Sequence, residues 1–177
     1  FCQRDNRITL CPQGSDQRIC IGADAFLFDG SQSDIDAQLE EQDAFIDRYG
    51  PISVEVLGIG MNGHLGFNED GVDFSLRSHR TPLSATTKSV QRKYFSGQDL
   101  PLTEGITLGI AQIMESKTVI VIANGKKKAE IVAKAILGPV TNRVPASVLQ
   151  EHPNCIYLLD DEAASLLPAD LPGLQKI

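Results

Sequence analysis

Long hydrophobic runs are missing from this 177-residue chain. Hydrophobic residues make up 42% of it, yet no apolar stretch reaches the ~18 residues that a membrane-spanning helix needs. A membrane is therefore not among the expected partners. Positive charge is scarce as well. Sixteen Lys and Arg against 23 Asp and Glu leave a net charge of −7, which argues against a nucleic-acid surface. Such a chain can still hold an anion, but only through a local cluster of cations. Cysteine occurs as Cys2, Cys11, Cys20 and Cys155, with no C-x-x-C pair. A structural zinc usually takes four ligands at tighter spacing, so free thiols in a reducing cytoplasm are the expectation, with no metal site. No internal repeat and no low-complexity tract is present. The chain opens at Phe1, without a methionine or a signal-peptide pattern, so a piece of a longer protein is expected.

The length suits one domain with a sizeable core. Residues 1–24 alternate short apolar pieces with charged and turn residues and predict a poorly integrated start. Ser31 or Ser33 is placed to cap a helix reaching about Arg48, with Ile35, Leu39, Ile46 and Tyr49 as its apolar face. Gly50-Pro51 ends that helix. A strand follows over Val54–Leu57, then a polar, irregular stretch over 70–105. Ile106–Met114 reads as a short amphipathic helix and Thr118–Ile122 as a β-branched buried strand. Asn124-Gly125 turns into a lysine-rich helix that ends at Gly138, and Cys155–Leu159 is a last short strand. Strands alternating with helices predict an α/β fold with a doubly wound, mostly parallel, Rossmann-like sheet. Residues from Pro168 to Ile177 read as a tail, and 1–177 as a single domain.

The loop after the first of these strands carries the densest chemistry. The run Gly58-Ile59-Gly60-Met61-Asn62-Gly63-His64-Leu65-Gly66-Phe67-Asn68-Glu69 puts polar side chains at the carboxyl edge of a sheet. Open α/β proteins bind their ligands at that edge. Gly58 and Gly60 let the backbone approach a ligand closely. His64 is a proton-transfer group near neutrality, and Glu69 is spaced to orient it. The alternative for Glu69 is a solvated loop carboxylate. Further on, Gly125-Lys126-Lys127-Lys128 follows a strand and opens a helix, a place that suits a phosphate.

The Gly-x-Gly-x-Asn-Gly-His-x-x-Phe-Asn-Glu loop resembles that of the glucosamine-6-phosphate deaminase/isomerase family. Residues 50–165 follow the family pattern in order. The related 6-phosphogluconolactonases share the Gly-His core, but Phe67-Asn68-Glu69 favours the aminosugar branch. Gly105–Ile110 looks closest to the galactosamine-6-phosphate isomerases. The resemblance implies that His64 opens the sugar ring, with Glu69 relaying to it and Asn62 helping to orient it. It assigns phosphate binding to Lys128. It assigns the same role to Lys93, which stands where the family has an arginine, with Arg92 beside it. Asp70 replaces the family's usual Pro-Gly after the glutamate. Arg77–Arg80 matches only loosely a stretch that is allosteric in some relatives, and His152 is expected to be structural.

Two family features are absent: a Thr-Gly-Gly/Ala-Thr-Pro phosphate loop, and an Asp-Glu-Tyr/Trp segment that carries the proton-shuttling carboxylate. Both lie upstream of the matched part in the family, so this piece alone is expected to be inactive. The implied activity of the whole converts a 2-amino-2-deoxyhexose 6-phosphate to a ketose 6-phosphate plus ammonia. The resemblance thus implies hydrolase, isomerase and deaminase chemistry. No metal or organic cofactor is implied, because the substrate's own carbonyl is the electron sink. The partner is a small phosphosugar, a homo-oligomer is admissible, and the setting is the cytoplasm. The competing readings are a non-catalytic sugar-phosphate-sensing domain of a transcription regulator and a 6-phosphogluconolactonase.

Overall fold

The computed structural model describes residues 2–3, 7–10, 19–20, 28, 33–84, 87–88 and 103–175. The chain forms two compact units, Phe1–Gln38 and Leu39–Ile177. In the first, β1 (Cys2–Gln3), β2 (Arg7–Leu10) and β3 (Ile19–Cys20) form an antiparallel sheet in the order β1-β2-β3. Helix α1 (Ile35–Tyr49) begins here. Its N-terminal cap is Asp34, whose Oδ1 accepts the Ala37 N–H at 2.9 Å. The cap is therefore neither Ser31 nor Ser33, the two expected, but the residue after the second of them. Asp and Ser cap almost equally well, so the choice is made by where the backbone turns.

In the second unit α1 buries Leu39, Gln42 and Ile46, whereas Tyr49 is exposed. Gly50 closes the helix with φ +87° and its N–H on the Ile46 carbonyl, as Gly50-Pro51 predicts. Three strands make a parallel sheet in the order β4-β7-β8: β4 (Glu55–Gly58), β7 (Val119–Ala123) and β8 (Cys155–Leu159). Helix α2 (Ile110–Glu115) lies in the connection from β4 to β7, and α3 (Ala129–Leu137) in the connection from β7 to β8. The α/β class and the mostly parallel sheet expected from the sequence are what the chain adopts.

The sheet's two faces differ. Val119, Val121 and Ala123 bury themselves among Ile110, Ile113, Ile131, Val132 and Ala135 from the helices, with Leu57, Tyr157 and Leu159 alongside. The alternate residues Val56, Ile122, Ile156 and Leu158 point the other way and stay exposed. This is the period of two that a strand imposes.

One expected helix start is displaced. Ile106 and Thr107 belong to β6 (Glu104–Thr107), which pairs antiparallel with β5 (His79–Pro82), inside the stretch expected to be irregular. The partner strand lies too far away in sequence to be read from the local pattern. The helix itself waits for Gly109, whose backbone lies so close to the Leu76 and Arg77 carbonyls that a Cβ would overlap them.

Candidate active site

Register brings the candidate residues together. Gly58 of β4 pairs with Ile122 of β7, which pairs with Leu158 of β8. The loops leaving all three strands therefore rise from one carboxyl edge. The first loop, residues 59–69, is pinned from several sides. Ile59 bridges to Leu65, Gly60 N–H donates to the His64 carbonyl, and Ala146 N–H donates to the Gly63 carbonyl. Gly63 adopts φ +86°, where a Cβ would stand 2.7 Å from Val144 Cγ1. Glycine is required at Gly60 for another reason: a Cβ there would overlap the His64 imidazole. Beside Gly58 the space is open.

Glu69 is buried, not the solvated loop carboxylate of the alternative reading. Its Oε2 accepts from Asn62 Nδ2 at 2.8 Å and lies 3.4 Å from His64 Nδ1. Asn62 works in both directions, since its Oδ1 also accepts the His64 backbone N–H at 3.3 Å. The other carboxylate oxygen, Oε1, accepts from Thr87 Oγ1 at 2.5 Å. Burial pushes the Glu69 carboxyl upward. The hydrogen bonds from Thr87 and Asn62, the His64 charge and the Ser84 backbone N–H outweigh it and hold the group below its ordinary value. Thr87 escaped the sequence reading because it sits in a hydroxyl-rich run, 81–89, that reads as loop; only its meeting with Glu69 singles it out.

The His64 side chain retains 20% exposure, and its Nε2 has no hydrogen bond among the described residues. A half-open imidazole backed by a buried carboxylate can take a proton from a ligand hydroxyl and return it. Asn68, wholly buried, holds the loop from beneath by donating to the Leu65 and Leu108 carbonyls at 2.9 and 2.8 Å.

Lys128 reaches the same loop. Its Nζ donates to the Ile59 carbonyl at 2.5 Å, and burial lowers its pKa. Its neighbours Lys126 and Lys127 are exposed. The backbone at this point differs from expectation. Gly125 N–H donates to the Asp160 carboxylate at 2.9 and 3.0 Å, and Lys126 N–H donates to Glu162 at 3.2 Å. These N–H groups are taken by carboxylates from the loop after β8, so a phosphate here would be held by the Lys128 side chain. Lys93 and Arg92 lie outside the described residues.

Other residues fall into place away from the loop. Asp70 meets Arg143 at 3.3 Å on the surface, and Gly71 N–H donates to the Asn142 carbonyl, so the loop stays anchored without the family's proline. Arg77 is engaged by Asp47 at 2.7 Å, Glu115 at 3.2 Å and Asp43 at 3.6 Å. His152 is buried; its Nε2–H donates to the Ser116 carbonyl and its Nδ1 accepts from Asn154 N–H, a structural use of both ring nitrogens. Burial pushes the Cys155 thiol up to about 11. No group of three or more potential metal ligands occurs among the described residues, and no helix there is long and apolar enough to cross a membrane.

Comparison with known proteins places this geometry. A family profile described as glucosamine-6-phosphate isomerases/6-phosphogluconolactonase matches residues 16–157. Glucosamine-6-phosphate deaminase of Streptococcus uberis is 41% identical over 142 residues, 80% of this chain and 60% of that protein. The Ligilactobacillus salivarius deaminase is also 41% identical, over 145 residues, 82% of this chain and 62% of its own length. The chain thus spans about three-fifths of the curated relatives that it matches. A solved monomeric glucosamine-6-phosphate deaminase superposes with a TM-score of 0.73 at 37% identity, covering 77% of this chain and 57% of that one. A Leishmania guyanensis 6-phosphogluconolactonase shares the fold alone, at 19% identity and a TM-score of 0.57 over 75% of this chain and 53% of that one. The expectation of hydrolase chemistry is corrected accordingly. The near relatives are named deaminases, and the lactonases are distant. The matched family, the loop that carries His64 and Glu69, and the parallel sheet beneath it agree: the chain belongs to the glucosamine-6-phosphate isomerase/6-phosphogluconolactonase family.

Proposed function

We propose that this chain carries the ring-opening and phosphate-binding part of an enzyme that converts a 2-amino-2-deoxyhexose 6-phosphate to a ketose 6-phosphate and ammonia. The observation that carries this reading is the buried Glu69 carboxylate clamped against Asn62 and His64, with the Lys128 ammonium on the Ile59 carbonyl of the same loop. In this reading His64 moves a proton between the ring oxygen and the anomeric hydroxyl. Glu69 and Asn62 hold it in place. Lys128 and Lys93 grip the phosphate, the open backbone at Gly58 admits the sugar, and Gly60 makes room for the His64 ring. The names of the deaminase relatives support the substrate class. A single α/β domain over 1–177, a loosely integrated 1–24, a tail from 168, a cytoplasmic setting and a homo-oligomeric state belong to the same proposal; sedimentation of the full gene product decides the last.

The test adds glucosamine-6-phosphate or galactosamine-6-phosphate to the full gene product and assays ammonia. Release from either sugar is the expected result, and binding without ammonia from both points to a sensor instead. His64→Ala should lower turnover roughly 10²–10⁴-fold, the usual worth of a positioned acid–base group, with the fold intact. An unchanged rate removes His64 from the chemistry. Lys128→Ala should chiefly raise KM, the mark of a uniform binding contact; an unmoved KM overturns the phosphate assignment.

A further inference from the structure

The carboxylate of Glu69 is held by more than its two neighbours on the loop. Thr87, 5% exposed, places Oγ1 on Oε1 at 2.5 Å. Behind it, Ser84 Oγ lies 2.9 Å from Thr87 Oγ1 and accepts the Thr87 backbone N–H at 3.1 Å. A threonine hydroxyl has one proton, and a carboxylate oxygen can only accept, so that proton goes to Glu69. The Ser84 hydroxyl must then donate to Thr87. The result is a chain of donors from Ser84 to Thr87 to Oε1. It occupies one oxygen of the carboxylate and leaves Oε2 facing Asn62 Nδ2 and His64 Nδ1. An ionised oxygen opposite Nδ1 favours the imidazole tautomer that carries its proton there. The lone pair is then on Nε2, the nitrogen that has no hydrogen bond among the described residues.

We propose that Thr87, backed by Ser84, is a positioning residue for the His64–Glu69 pair: by engaging Oε1 it presents Oε2 to Nδ1 and so keeps Nε2 as the proton-accepting atom. This rests on the reading of His64 and Glu69 as a proton-transfer pair. Thr87 touches no substrate in it and acts through the carboxylate. His64 is the titratable group that faces Glu69 among the described residues, with Asn62, Ser84 and Thr87 as its uncharged neighbours.

The test compares Thr87→Val, which keeps the shape and removes the hydroxyl, with Thr87→Ser, which keeps the hydroxyl, in the full gene product. The valine variant should lose roughly 10–100-fold in kcat, the range for removing one hydrogen bond to a charged group. KM should stay within about twofold, since no substrate contact is lost. The acid limb of its pH profile should move upward, because the carboxylate has lost a bond that favours its charged form. Thr87→Ser should restore both. Wild-type kcat and pH profile in Thr87→Val, or a serine variant as impaired as the valine one, overturns the proposal. Nitrogen-15 NMR of the ligand-free protein separates this from failure of the catalytic reading. Even if neither sugar is turned over, His64 should be the Nδ1–H tautomer in the wild type and shift toward a mixture in Thr87→Val. An identical tautomer in both sinks the positioning role. If Thr87→Val does not fold, Ser84→Ala carries the same comparison, with a smaller shift in the same direction expected and no shift overturning it.

Discussion

Glu55 opens β4 and Glu69 closes the loop that follows it, and their surroundings drive them in opposite directions. Burial raises the Glu55 carboxyl, against smaller opposing effects of Ser116 and His152. Ser116 Oγ lies 2.9 Å from Glu55 Oε2 and 3.0 Å from the Gln112 carbonyl. Both contacts draw on the one hydroxyl proton of Ser116, so the bond it donates to Glu55 is shared with the Gln112 carbonyl and offsets burial only in part. Because its folded value is raised above the ordinary 4.5, Glu55 contributes most at low pH, and that contribution is lost as pH climbs through the folded value. Glu55→Gln should therefore raise Tm at pH 7 and flatten the pH dependence above 4.5. Thermal melts from pH 4 to 8 check this. Glu69 has the opposite sign. Its folded value lies below the ordinary 4.5, so its contribution is present above that value and is lost as pH falls through the folded one. Glu69→Gln should lower Tm at pH 7 and leave a smaller loss on acidification than the wild type shows. A variant that melts with the wild type's full acid dependence would contradict the hydrogen-bond cage described around it.

At the scale of elements, the His64 loop is rigid because its glycines are spoken for. Gly63→Ala forces a side chain into φ +86° against Val144 Cγ1. It should cost about 1–3 kcal/mol, the usual penalty for a residue held in a strained backbone region, measured as the shift in urea midpoint. Much of this layer was legible in the sequence. The strands over 119–123 and 155–159 announce themselves by β-branched and aliphatic runs between turn residues, and α3 by its lysines, its period and Gly138. The shape of the loop followed from its glycines and the strand before it. What stayed hidden is what depends on distant partners. Ile106 and Thr107 carry an apolar pattern that fits a helix until Arg80 and His79 come to pair with them. Thr87 is one hydroxyl among several until Glu69, 18 residues away, arrives beside it. The carboxylates of Asp160 and Glu162 fill a helix-start region that reads as vacant from Gly125-Lys126-Lys127-Lys128 alone.

At the scale of the whole chain, the exposed apolar face of the parallel sheet, seen among the described residues, is the departure from rule, since parallel sheets are ordinarily covered on both sides. Val56, Ile122, Ile156 and Leu158 form it across all three strands. The chain as given should bind a hydrophobic dye through this face. Ile122→Thr with Ile156→Thr should cut the dye signal strongly while changing the stability read from urea unfolding by no more than about 0.5 kcal/mol, as surface changes do. A dye signal that survives the double change would place the accessible apolar surface elsewhere. The same strand order has a quieter effect at the opposite edge. The ammonium of Lys128 is tethered to the Ile59 carbonyl, one residue from the glycine over which the His64 ring lies. That bond uses one of the three N–H donors of the ammonium. In the proposed reading the other two would hold the anion, so a seated ligand would brace the strand of backbone beneath the imidazole instead of loosening it.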